Sequence, residues 1–192
     1  MALQPVKTNS FGGVPIWVRV IETATGGFKL VITGLNSGDV LPAGTPIKID
    51  ESARTATVSK TAIVYEATSG TSIKVKKGHQ FQATNNAAKT LGDAAYAVSA
   101  IDASNAAYDV FTVGTSLGAL SVGDVLFQSS AAGATAAAYS VVPNALMLQP
   151  VPVVTDEPVA AVIHGTVYQR RIPGITSDMI TALKNIIFNQ SV

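Results

Sequence analysis

Short runs of β-branched and apolar residues, divided by glycine, proline or asparagine turns, recur along most of this chain. Runs of roughly five residues are too short for ordinary helices and suit strands. Residues 14–22 and 28–33 flank Thr25-Gly26-Gly27 and read as a hairpin. Alternation places Trp17, Arg19 and Ile21 on one face of the first run, and Ile16, Val18 and Val20 on the other. Strand-sized runs follow at 46–50, 55–59 and 62–66. In 71–77, Ile73 and Val75 point inward between outward Lys74 and Lys76. Further runs occupy 108–113, 118–128 and 159–171. This spacing predicts an all-β fold, a small β-barrel or sandwich.

Other segments read less regularly. Residues 1–13 are broken by Pro5, Ser10, Gly12 and Gly13 and are expected to form an arm. Residues 82–107 are rich in Ala and Asn and predict one strand, near Tyr96–Ile101. Residues 129–139 read as an exposed loop or a short helix. The prolines within 145–154 suit an edge strand. Pro173-Gly174-Ile175-Thr176-Ser177-Asp178 is a helix-start signal, and Met179, Ile180, Leu183, Ile186 and Ile187 follow at helical spacing. Ile186–Phe188 also reads as a closing strand. Gly38-Asp39-Val40-Leu41 recurs as Gly123-Asp124-Val125-Leu126, best read as two similar strand entries. The expected organisation is an N-terminal arm and hairpin over 1–35, a candidate docking or stalk element, and a barrel over 36–192 that ends with one short helix.

The surface is bounded by composition. Only 13% of the 192 residues are charged and 6% are aromatic. That is about half the charge of an ordinary soluble domain, so Ala, Ser, Thr, Gly and Asn must cover most of the outside. Such a surface repels its neighbours weakly and suits life in an assembly. A net charge of +1 gives no reason to expect nucleic acid or an anionic membrane as partner. The absence of cysteine removes disulfides, thiolate nucleophiles and Cys-ligated zinc. The first residues carry no apolar core after a basic start, so no signal peptide is expected. No apolar run approaches the roughly 20 residues that span a bilayer.

Residues with chemical potential are few. His79 and His164 lie far apart, and neither has a carboxylate at metal-binding spacing. Asp50–Glu51 and Asp156–Glu157 are paired acids of the kind glycoside hydrolysis needs, but both sit in turns, which acids solvate. No nucleophile–base–orienter pattern and no phosphate loop occurs. Catalysis, a cofactor and a metal centre are therefore not expected. Lys74, Lys76, Lys77 and His79 form a basic group without interleaved aromatics, more like a solvated strand face than a nucleic-acid site. The candidate interface residues are Trp17, Arg19, Arg170 and Arg171. Trp17 suits either a partner pocket or the aromatic core of the first hairpin. Arg170-Arg171 suits either a solvated strand end or an ion pair to a neighbouring subunit.

Three stretches look familiar together. They are Ile101-Asp102-Ala103-Ser104-Asn105-Ala106-Ala107-Tyr108-Asp109-Val110 with Gly114–Ala119 and Gly123–Leu126; Pro143-Asn144-Ala145-Leu146; and Val162–Pro173 with the terminal helix. With Leu41-Pro42-Ala43-Gly44-Thr45-Pro46, they resemble the head-fibre and head-decoration proteins of tailed bacteriophages, including crAss-like phages of gut Bacteroidetes. The resemblance spans about residues 36–188 and rests on structural motifs. It implies a small barrel like the lambda decoration protein, a homotrimer on the outer capsid surface of the virion, and the major capsid protein as partner. The chain is longer than the smallest decoration proteins and adds the 14–33 hairpin. The alternative expectation is a host-surface or carbohydrate-binding adhesin, although Tyr96 and Tyr139 are the only aromatics in its candidate loops.

Overall fold

The computed structural model describes residues 15–190; the arm expected over 1–13 lies outside them. The first strands are β1 (Trp17–Thr23), β2 (Phe28–Leu30), β3 (Val40–Leu41), β4 (Pro46–Asp50) and β5 (Thr55–Val58). Next come β6 (Thr61–Ile63), β7 (Ser72–Lys76), β8 (Asn86–Ala88), β9 (Ala95–Asp102), β10 (Tyr108–Val113) and β11 (Val125–Ser129). The chain closes with β12 (Ala145–Met147), β13 (Val151–Pro152), β14 (Pro158–Val159), β15 (Ala161–Tyr168), a 3-10 turn (Gln169–Arg171), α1 (Ser177–Ala182) and β16 (Ile186–Asn189). The fold is all-β with a short C-terminal helix, as the spacing of the runs predicts.

The strands divide into two main sheets by position in the chain. An eight-stranded sheet runs β1-β15-β12-β4-β5-β2-β14, with β16 parallel beside β15. A six-stranded sheet runs β6-β11-β8-β9-β10-β7. Every strand of the second falls between Thr61 and Ser129, and every strand of the first falls outside that stretch. The second sheet is thus an insertion into the first. It curls until its outer strands meet at a Val64–Val75 bridge, around a core of Val64, Ile73, Val75, Phe81, Phe111 and Leu126. The exit and return of the insertion lie side by side, because Ser59 Oγ donates to Val141 O at 2.7 Å. A further ribbon pairs β3 with β13.

The expected hairpin over 14–33 does not form. β1 pairs with β15, and β2 pairs with β5 and β14. The turn between them is held elsewhere: the Arg54 guanidinium donates to Thr25 O and Gly27 O at 2.6 and 3.1 Å and stacks on the Phe28 ring. β1 and β2 therefore lie in one sheet with strands from both ends of the chain, and residue 35 is not where the sheets divide.

Three further readings are resolved. Residues 86–88 form a strand, β8, that low β-propensity hid. Of the two readings of 129–139 the loop is found, largely exposed; Gly133 bridges to Ala95 and Tyr139 to Ser129, which pins it to the inserted sheet. Residues 145–147 are not an edge but the fully buried β12, between β15 and β4. Within 145–154 the edge reading holds for Pro152, in β13 of the two-stranded ribbon, and Pro143 and Pro150 flank β12. Beside it, the Asn144 side chain bonds both the N–H and the C=O of Ile49, at 2.8 and 3.0 Å, as a strand would. At the C-terminus, Thr176 caps α1 by accepting from Met179 N–H at 3.3 Å. The helix then stops, and Ile186 is buried in β16.

β15 pairs with β1, β12 and β16, and Gly165 is a tight point in it. Gly165 lies opposite Val20 of β1 and Ile186 of β16. A Cβ there would meet Arg19 O at 2.8 Å and Val162 Cγ1 at 3.3 Å. Gly165→Ala should push β1 off β15 and cost about 1–3 kcal/mol. Urea unfolding measures the loss, and amide exchange should place it in β1 rather than in β9 or β10. Unchanged stability would contradict the close approach.

Candidate functional site

The two sheets meet along a seam with an apolar and a polar half. In the apolar half, Ala88, Ala95 and Phe127 of the insertion pack with Leu146, Val162 and Val167 of the host sheet and with Met179 of α1. The polar half begins at Lys60, the residue at which the chain enters the insertion. Lys60 is 7% exposed, and it has no carboxylate partner among the described residues. Its ammonium donates to Gly34 O and, at 2.9 Å, to Asn85 Oδ1, joining a host loop to an insertion loop. Asn85 Oδ1 also accepts from Gln82 N–H at 3.0 Å. Burial pushes Lys60 down to about 8.

Further side chains of the 78–85 loop hold the 34–39 loop in the same way. Gln80 accepts from Asn36 N–H through Oε1 and donates to Asp39 Oδ2 through Nε2, both at 3.0 Å. Gln82 Nε2 donates to Leu35 O at 3.1 Å. Along this seam lies an open cleft of about 630 Å³, lined by Asn36, Asp39, Lys77, Gln80 and Asp109 among others.

His79 stands at the back of the cleft. Its Nδ1 accepts from Phe81 N–H at 3.2 Å, which puts the neutral-form proton on Nε2. Nε2 lies 3.0 Å from Asp109 Oδ2, but the approach is too bent for a well-formed hydrogen bond. The contact is therefore chiefly electrostatic. The other Asp109 oxygen pairs with Lys77. The imidazole meets Phe111 edge-on at 4.7 Å. Burial holds His79 below its usual value, with Asp109 opposing and Lys77 reinforcing the shift. A base needs a free nitrogen toward its substrate. Here one nitrogen serves the backbone and the other faces a carboxylate, so the group acts as a buried support.

The residues singled out in the sequence divide between this seam and other places. Lys76, Lys77 and His79 line a 260 Å³ cleft together with Arg171, and Arg170 lines an adjoining cleft of 320 Å³. Two basic groups far apart in sequence thus flank the Pro173-Gly174 segment. Lys74 faces away, paired with Glu66 and set over the Tyr108 ring. Arg171 donates to Pro15 O at 2.8 Å and covers Tyr168, whereas Arg170 is exposed. Trp17 is half-buried, its indole donating to Leu148 O at 2.9 Å, and it packs on the host core. Arg19 is exposed on β1.

Three of the four paired acids have partners within the chain. Asp50 accepts from Ser52 and Ala53 N–H, which holds it below the usual carboxylate range, and Glu51 pairs with Arg54. Asp156 pairs with Lys29. His164 is half-buried on β15. Tyr139 contacts Thr176 and lies on Phe127, so it offers no free stacking face. Among the described residues no group of three or more His, Cys, Asp or Glu could hold a metal ion, and no helix is long and apolar enough to cross a membrane.

Lys60 and Asp109 were not singled out from the sequence. Asp109 carried a signal: it is in phase with Phe111 and Val113, and all three point inward. Lys60 carried none, because Ser59-Lys60-Thr61 resembles any exposed turn. No family model matches the chain, and comparison with curated proteins and with solved structures finds no match.

The two buried groups make stability depend on pH with the same sign. Below about pH 8 the folded and unfolded chains both carry charged Lys60, and the fold bears the full burial cost. Between about 8 and 10.5 the folded chain loses that proton first, so stability should rise with pH by about 3 kcal/mol from this residue. His79 is neutral in the fold, with its value lowered from 6.5. As pH falls below about 6.5 the unfolded chain takes the proton first, and stability drops. Urea unfolding across this range should show both limbs. Lys60→Met should flatten the alkaline limb and His79→Phe the acidic one. Parallel curves for parent and variants would contradict the assignment.

Proposed function

We propose that this chain is a structural, non-catalytic virion protein, a head-fibre or decoration protein of a tailed phage. In this reading it binds the outer capsid surface through the major capsid protein, as a homotrimer. The observation that carries the reading is the outer strand β1. Val18, Val20 and Ile21 are 46%, 37% and 48% exposed on the end strand of the larger sheet, and Ile187 of β16 in the same sheet is 61% exposed. Two bulges and the charges of Arg19 and Glu22 keep this strand from pairing freely with another backbone. They do not cover its apolar side chains, which suits a chain that is covered in an assembly. The sparse surface charge and the resemblance in Val162–Pro173 agree with that life.

Capsid decoration needs no tight single contact. A standard interface buries roughly 1,600 Å² in total. Several weaker contacts from one oligomer act together through effective concentration. The insertion, with its own core, is the part free to project. The alternative, a host-surface or carbohydrate-binding adhesin, has the 630 Å³ polar cleft in its favour but no exposed aromatic platform there.

Purified protein should co-sediment with expanded heads of a phage that encodes it, saturating at a fixed number of copies per capsid lattice site, and more weakly with unexpanded heads. Treated heads should also survive a higher temperature before releasing DNA. Binding to neither form would sink the reading. Selective retention on a glycan array without head binding would favour the adhesin.

A further inference from the structure

β1 does not alternate as its sequence suggests, and the reason lies in its pairing with β15. Trp17 is opposite Val167, Arg19 opposite Thr166, Val20 opposite Gly165 and Glu22 opposite His164. Val18 and Ile21 have no partner of their own, so each is an extra residue in a bulge. Residues directly opposite in an antiparallel pair share a face. Thr166 and His164 lie on the face of β15 opposite to buried Gly165 and Val167. Arg19 and Glu22 therefore both stand on the outer face, although three positions apart. The bulge residues Val18 and Ile21 directly precede Arg19 and Glu22 in the chain and are 46% and 48% exposed. On the far side of β15, Ile187 of β16 is in register with Thr166 and is 61% exposed.

The outer face of β1, β15 and β16 is thus a patch of three branched apolar side chains, Val18, Ile21 and Ile187, with one cation and one anion. Ile21 lies between Arg19 and Glu22 in the chain, and neither of their side chains makes an ion pair or hydrogen bond among the described residues.

A patch that meets copies of itself lies on a rotation axis. With a positive and a negative group on either side of the axis point, each Arg19 comes to a neighbour's Glu22, whether the axis is twofold or threefold. We propose that this patch is the contact between copies of this chain, with the assembly axis passing near Ile21 and Arg19 of one copy paired to Glu22 of the next. The proposal rests on the self-association in the reading above, but not on the capsid.

Light scattering coupled to size exclusion, on the isolated full-length chain, tests it. The parent should have a mass of two or three chains. Arg19→Glu and Glu22→Arg each set like charges against one another, and each should weaken assembly at least about tenfold. The double reversal should restore it, which a merely structural role for either residue would not produce. Ile187→Asp should also split the assembly, with an unchanged circular dichroism spectrum. A single-chain mass for the parent overturns the proposal. So does an oligomer that both single reversals leave intact, or a double reversal that fails to rescue. Loss of head binding with assembly intact would instead count against the capsid reading alone.

Discussion

The buried ammonium of Lys60 fixes how the two halves of this molecule meet. Each sheet has its own apolar core, and the apolar contact between them is tolerant of small slips, as hydrophobic contact is non-directional. The ammonium is not tolerant. It bonds a host carbonyl and an insertion amide at once, and any other placement strands a desolvated charge. Burial disfavours the charged form, yet the alternative arrangements cost more. Gln80 and Gln82 repeat the device with neutral groups on the same pair of loops. The seam therefore trades stability for one defined orientation of the insertion on the host.

The legible part of the fold was what depends on local pattern. Strands such as Ser72–Lys76 and Ala161–Tyr168 could be read because their burial follows the period of a pleat. The helix start was legible because a threonine cap acts within four residues. Pairing was not legible. Residues 17–30 look like a hairpin by every local rule, but Arg54 draws the turn away and β15 offers a longer partner. The Ala- and Asn-rich β8 lies between β11 and β9, held by neighbours rather than by its own propensity.

The site divides along the same line. His79 drew notice as a residue type, but its burial against Phe81 and Phe111 depends on strands far from it in sequence. The association of Lys76 and Lys77 with Arg171 required the C-terminal segment to fold back over the insertion. The packing at Gly174 shows how closely it does so: a Cβ there would meet Ile63 Cγ1 at 2.7 Å. Lys60 was invisible because nothing in three small polar residues records that a chain crosses from one sheet to another there.

Bulges explain why the outer strand misled the sequence reading and why its residues stand where they do. An alternating strand with these residues would place its apolar side chains on both faces, and one of those faces would lie in the core. Each bulge adds a residue without adding a partner, so the phase slips and Arg19 and Glu22 come to one face, with exposed Val18 and Ile21 next to them in the chain. A bulged strand is also a poor template for another backbone, because its free edge is kinked and twisted. The same two insertions thus discourage indiscriminate strand addition while exposing side chains for contact. On a chain with so little charge elsewhere, recognition at β1 must come from side-chain shape and from the one pair of opposite charges, rather than from the ladder.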